Sequence, residues 1–234
     1  MRFDEKGWLQ SEAGDRKVVP LPTVRTTTLE VPSPLGLVWH TTGGVGGPNF
    51  AEVLARRIQD YRRGVDRPAS WHFLIAKNGD IFQSASSSVG TWHVGMPGNI
   101  AGRAFKNINH ATIGVELANA GPLVGHEGQF YAWPYWKPGS DRFPEPRFRI
   151  APDRVVVRDL IAFDGFPDAQ IASAGKLAAC LARRLGWDAS ALQHGHADFA
   201  APRKTDPGPL WMKGILPGLI AAMGLGTSSG EGRV

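Results

Sequence analysis

Cysteine is almost missing from this chain: Cys180 is the only one in 234 residues. No internal disulfide can form, and a cysteine-rich metal cluster is excluded. Cys180 falls in an apolar helical pattern and reads as a small core residue. Long apolar runs are missing too. None approaches the ~20 residues of a membrane span. The start, Met1-Arg-Phe-Asp-Glu-Lys6, lacks the basic-then-apolar pattern of a secretory signal. Synthesis in the cytoplasm is expected, with any action outside dependent on release by another protein. No long Lys/Arg run and no internal repeat occurs. The net charge is still +5 and the pI about 9.6, which suits an anionic partner such as a bacterial envelope. Because the basic residues are dispersed, nucleic acid is not expected as a partner. With 42% hydrophobic and 20% charged residues, the chain suits one globular domain with a sizeable core, and a monomer is expected.

Residues 1–30 are polar and irregular and read as an N-terminal arm that can hold one short strand. Leu35-Gly-Leu-Val-Trp-His40 suits a strand buried on both faces, with His40 at its end. Gly43-Gly-Val-Gly-Gly-Pro48 lacks the Gly-Lys-Ser/Thr ending of a phosphate loop and reads as a flexible loop. Asn49 can cap a following helix whose apolar face is Phe50, Val53, Leu54, Ile58 and Tyr61. Ser70 to Gln83 carries a hairpin signal, with Asn78-Gly79 supplying a type I′ turn. Alternation puts Trp71, Phe73 and Ile75 on one face, and His72 and Leu74 on the other. Thr112-Ile-Gly-Val-Glu-Leu117 reads as a strand in which Glu116 stands among apolar neighbours.

Residues 121–150 read as an irregular insertion holding Tyr131, Trp133, Tyr135 and Trp136. It is either a substrate-facing lobe or an aromatic minicore. A helix is expected from Pro167 to Leu185, stopped by Gly186, with Ile171, Leu177, Cys180, Leu181 and Leu185 inward. Leu216 to Leu225 suits a short final helix, and a disordered tail is expected from Gly226. The expected organisation is an arm over 1–30, one domain over 31–222 and a tail over 223–234.

The segment His196-Ala-Asp-Phe-Ala-Ala-Pro-Arg-Lys204-Thr-Asp206-Pro-Gly-Pro209 carries the most chemistry. His196 and Asp206 are potential ligands for a divalent metal such as zinc. The plain alternative is a solvated turn bonding its own backbone. His40, at a strand end, can supply a third ligand. Three protein ligands leave a fourth tetrahedral position for water, and zinc lowers that water's pKa from ~15.7 to ~7. Glu116, with its pKa raised by desolvation, could act as base. Lys204 could place a cation on a developing oxyanion. His72 suits a structural strand position, Asp198 a backbone or ligand-orienting partner, and His110 and His126 exposed sites without partners. His194 lies two residues from His196 and competes with it as ligand.

The chain resembles the zinc-dependent N-acetylmuramoyl-L-alanine amidases of type 2, which share a fold with peptidoglycan recognition proteins. The resemblance spans about residues 35 to 211. It rests on Val-Trp-His40-Thr-Thr-Gly, Ser-Trp71-His-Phe-Leu-Ile with Asn-Gly-Asp-Ile-Phe-Gln83, Trp92-His93-Val-Gly, Thr-Ile-Gly-Val-Glu116-Leu-Ala-Asn119, and Gly195-His196-Ala-Asp198 through Arg203-Lys204-Thr-Asp206-Pro-Gly-Pro. It implies an α/β fold, a central mixed β-sheet flanked by α-helices. It implies zinc (Zn2+) bound by His40, His196 and Asp206, with the Gly-His-Ala-Asp match favouring His196 over His194. Glu116 and Lys204 would be the catalytic pair and His93 would line the substrate groove. Trp71 and Asn119 join His93 as substrate-binding candidates.

There are departures. Trp71 stands where the family often has Tyr, so it can also be read as packing the groove floor. The loop reads Phe-Ala-Ala-Pro-Arg where Ile-Ala-Pro-Gly-Arg is more usual. The implied reaction is hydrolysis between N-acetylmuramic acid and L-alanine in peptidoglycan. The basic charge and the missing secretory signal favour, as the setting, a cell-wall-lytic enzyme of the phage endolysin type. Alternatives are a non-cutting peptidoglycan-binding module, a zinc hydrolase for another amide, and a cytoplasmic enzyme recycling anhydromuropeptides.

Overall fold

In the computed structural model, residues 1–21, 25–43, 69–132 and 148–226 are described. The helix expected over 50–61, most of the Gly-rich run, Trp133, Tyr135, Trp136 and the tail from residue 227 lie outside the described residues.

The framework is a six-stranded mixed sheet: β1 (Val18–Pro20), β2 (Gly36–Thr41), β3 (Phe73–Ile75), β4 (Ile81–Gln83), β5 (Thr112–Leu117) and β6 (His194–Gly195). Their order across the sheet is β6-β2-β5-β3-β4-β1. β5 runs parallel to β2 and to β3, and β6 parallel to β2; β3 and β4 are antiparallel. Alternation along the strands sorts the side chains. Leu37, Trp39, Ile113, Val115 and Leu117 join the main core with α1 (Asp168–Leu185), whose Ala174, Leu177, Ala178 and Leu181 are fully buried. Gly186, left-handed at φ 67°, ends that helix as expected. Gln170 ties it to the sheet, its side-chain amide donating to Ile75 O (2.8 Å) and Ala118 O (3.2 Å). The opposite sheet face carries Val38 and His40 from β2, and Thr112, Gly114 and Glu116 from β5.

Several expectations need correction. Residues 1–20 are woven into the domain rather than forming an arm. β1 pairs with β4, and Leu9 is a core residue whose N–H donates to Gln83 Oε1 at 2.7 Å. The hairpin turn is not type I′. Asn78 is not left-handed; Gly79 alone in the loop has positive φ, at +86°. Gly79 N donates to Ala76 O at 2.9 Å, giving a three-residue loop with glycine in the left-handed position. The physical reason is α1: Ser173 Oγ donates to Gly79 O at 2.6 Å and pins the loop to the helix.

Trp71 does not share a face with Phe73 and Ile75. It precedes the strand, where alternation does not apply, and packs instead with Leu74 and Ala118. The described part of the 121–150 insertion is regular: Leu123–His126, Gln129–Ala132 and Arg149–Ile150 form an antiparallel sheet. Among the described residues, Ala120, Leu123, Ala132, Ile150 and Ala162 pack together there, with Phe130 and Val155 against them. His110, expected without a partner, pairs with Glu30 at 2.6 Å. The final helix, α3 (Leu216–Ala222), is preceded by a π-helical turn over Leu210–Ile215.

A methyl group on Gly79 would lie 2.5 Å from Ala169 O on a backbone with positive φ. Gly79→Ala is therefore expected to cost about 1–3 kcal/mol. A thermal melt checks it; an unchanged Tm would refute the packing argument.

Candidate metal centre and active site

Three neighbouring segments build the centre. β2 carries His40 onto the sheet face away from α1, while Trp39 on the other face packs against Trp211 (5.0 Å) and donates to Leu192 O (2.9 Å). β6 lies beside β2, with Gly195 opposite Trp39. It leads directly into the short helix α2 (His196–Ala200). Asp198 accepts from Gly195 N at 2.7 Å and so braces the start of that helix. The chain then loops back, and Ala197 N donates to Asp206 O at 3.1 Å.

The result is a compact donor triangle. His40 Nδ1 is 3.0 Å from His196 Nδ1; Asp206 Oδ2 is 3.2 Å from His196 Nδ1 and 3.5 Å from His40 Nδ1. Metal–ligand bonds of 2.0–2.2 Å in a tetrahedral shell place donors about 3.3 Å apart. The three separations fit one face of that shell. They form the one cluster of three such donors among the described residues.

The donor chemistry fits as well. Two imidazole nitrogens 3.0 Å apart face the same point, where at most one proton can lie between them. Burial opposes charge on Asp206, but the adjoining His196 and His40 imidazoles outweigh it and hold the carboxyl well below its ordinary range. Burial also lowers the His196 pKa, against the pull of Asp206. An ionised carboxylate and a neutral imidazole are the forms a metal requires. His194, by contrast, packs on Phe199 (5.8 Å) and takes no part.

Glu116 stands in register with His40 on the adjacent strand, on the same sheet face. Its Oε2 is buried with no hydrogen-bond partner among the described residues. Lys204, on the loop between His196 and Asp206, borders two cavities that flank this loop. One, about 660 Å³, is lined by Arg25, Trp92, His93, Asn107, His196 and Arg203 among others. The other, about 260 Å³, is lined by Thr42, Gly121, Arg203 and Asp206 among others.

The three substrate-binding candidates fare differently. His93 borders the larger cavity but is only 6% exposed. Its Nδ1 lies 3.0 Å from His40 Nε2 and its Nε2 3.2 Å from Thr112 Oγ1. Trp71 is 2% exposed and has no place on the cavity walls. Asn119 is 1% exposed; its amide donates to Asp164 O (2.8 Å) and accepts from Gly121 N (2.7 Å), which braces the chain leaving β5. Both side chains are buried in this arrangement.

Sequence reasoning missed Thr112 and Asn109. Asn109 Oδ1 accepts from the N–H groups of His93 (3.1 Å), Val94 (2.8 Å) and Gly95 (3.3 Å) and holds the His93 loop. Thr112 had a usable signal: it shares the Thr112-Gly114-Glu116 face of β5.

A family model described as N-acetylmuramoyl-L-alanine amidase matches residues 31–209, most of the chain. The protein belongs to that family, and it is an enzyme that cuts the amide bond between N-acetylmuramic acid and L-alanine in peptidoglycan. No curated protein matches the chain significantly. A selenomethionine derivative of AmpD is structurally similar, with a TM-score of 0.57 at 22% identity over 94% of this chain and 99% of that one. The solution structure of Citrobacter freundii AmpD gives 0.51 at 23% identity over 100% of both chains. The catalytic domain of XlyA gives 0.51 at 18% identity over 87% of this chain and 99% of that one. These likenesses establish a shared fold.

Next to the centre, His72 is structural, as expected. Its Nδ1 accepts from Gly114 N and its Nε2 donates to Val89 O. Burial lowers its pKa from 6.5 to about 4. Between those values the unfolded chain holds a proton that the folded chain does not, so stability falls as pH drops through that window. Chemical denaturation of the metal-free protein at pH 7 and pH 4.5 measures the loss. His72→Gln should remove up to about 1.4 kcal/mol per pH unit of the slope. An unchanged slope would show that His72 is not its source.

Proposed function

We propose that the amidase reaction runs at the His40, His196 and Asp206 centre with zinc as its metal, Glu116 as general base and Lys204 as oxyanion partner. The observation that carries this reading is the donor triangle with Glu116 in register beside His40. When bound there, zinc would supply a Lewis acid and make water a nucleophile near neutral pH. Glu116, its Oε2 without a donor among the described residues, takes the proton from the attacking water and delivers it to the departing L-alanine nitrogen. The Lys204 ammonium, beside the ligand loop, stabilises the negative charge that develops on the carbonyl oxygen. The two cavities meet at Arg203 and Lys204, which suits a substrate crossing the loop with glycan on one side and peptide on the other.

The setting we favour is lysis of the intact wall, as a phage endolysin does, after release from the cytoplasm. The net charge of +5 and the Arg25, Arg203 and Lys204 lining favour an anionic polymer. Among the described residues, no helix is long and apolar enough to cross a membrane. Faster turnover of intact sacculi than of soluble anhydromuropeptides is expected; the reverse order would assign the enzyme to recycling.

Lys204→Ala should retain one zinc per chain by metal analysis yet lose about 10²–10³-fold in hydrolysis. Glu116→Gln should lose about 10²–10⁴-fold. Mass spectrometry of digested sacculi, scored for new L-alanine amino termini, reads both. Full activity of Lys204→Ala would remove that residue from the mechanism.

A further inference from the structure

His93 has no assigned part in the chemistry above, yet it is buried against a metal-ligand candidate with both ring nitrogens engaged. The direction of each bond follows from one hydroxyl proton. Thr112 Oγ1 lies 2.8 Å from Ile108 O, a carbonyl that can only accept, so the hydroxyl donates there. Thr112 Oγ1 therefore accepts from His93 Nε2, 3.2 Å away. With its proton on Nε2, neutral His93 presents a lone pair at Nδ1. His40 Nε2, 3.0 Å from that lone pair, must be the donor. A neutral His40 protonated on Nε2 has its own lone pair on Nδ1, the atom that faces His196 and Asp206.

We propose that His93 is a positioning residue that fixes the tautomer and ring orientation of His40, through the relay Ile108–Thr112–His93–His40, so that Nδ1 is set to accept a metal before the metal arrives. The inference rests on the metal-site reading above.

Two further observations support it. Gly114 lies beneath the His93 ring so closely that a Cβ there would be 2.6 Å from His93 Cγ. The ring is thus seated on bare backbone, and the same β5 face that ends in Glu116 supplies both its seat and its Thr112 acceptor. His196 provides the contrast. Its Nε2 is buried with no partner among the described residues, and its Nδ1 lies 3.2 Å from the Asp206 carboxylate, which only accepts and so holds the His196 proton on the very atom a metal would need. Only one of the two imidazole ligands is prepared in advance.

The test measures zinc affinity of the full chain by competition with a chromophoric chelator, and histidine tautomers of the metal-free protein by long-range ¹H–¹⁵N spectra. Metal-free wild type should show His40 with its proton on Nε2. His93→Leu, which keeps bulk but offers no acceptor, should weaken zinc binding about 10–100-fold and lose the single His40 tautomer. His93→Asn places a carbonyl oxygen where Nδ1 was and should restore both. Thr112→Val removes the acceptor at the far end and, should the His93 variants fail to fold, should itself mix the His40 tautomers and weaken zinc. Wild-type affinity in His93→Leu, or a His40 proton found on Nδ1 in wild type, would overturn the proposal. His40→Ala separates the two readings: if it kept zinc, the metal site itself would be misassigned, whatever His93 does.

Discussion

The parallel pairing of Gly36–Thr41 with Thr112–Leu117 decides which side chains can meet at this centre. Each strand sends alternate residues to opposite faces. In this register, Leu37, Trp39, Ile113, Val115 and Leu117 go to the core beside α1. The same register puts His40 beside Glu116 on the other face. A slip of one residue would bury His40 and Glu116 among leucines and expose the core set. The large apolar burial that stabilises the sheet therefore also holds the polar centre in register.

Around that pairing, the polar groups are arranged in layers of decreasing reactivity. The donor triangle faces the loop and the cavities. Behind it, His93 engages His40 and is itself held by Thr112, and His72 sits behind them, bonded to Gly114, Thr91 and Val89. Burial and the neighbouring imidazoles hold His93 well below its ordinary pKa. Neutral imidazoles can each both donate and accept, which lets a buried row of them bond without carrying charge into the core.

The local chemistry of the centre was legible in the sequence because its motifs are short. His40 ends an apolar strand run, and His196 and Asp206 bracket a single loop. The α1 helix was legible because its periodicity is long and its stop is a glycine. What failed depended on contacts between distant segments. Trp71 was placed by alternation, but the ladder begins only at Phe73. The Asn78-Gly79 turn was typed from its dipeptide, but Ser173 on α1 dictates its shape. Residues 1–20 have no strong pattern, and only the open edge of β4 gives Val18–Pro20 a partner. The polar groups of Asn119 look available in sequence, yet the neighbouring backbone consumes them.

The loop between His196 and Asp206 is fastened at both ends to the helix it follows. Ala197 N donates to Asp206 O, and Lys204 N donates to Ala200 O. Surface loops ordinarily tolerate insertion and deletion. This one is instead a measured span: its residue count sets the distance between two donors and the place of a lysine. Variation in length should be far better accepted elsewhere on the surface than between His196 and Asp206. The spacing of these two residues is thus a more telling signature of a working centre than the identity of the residues between them.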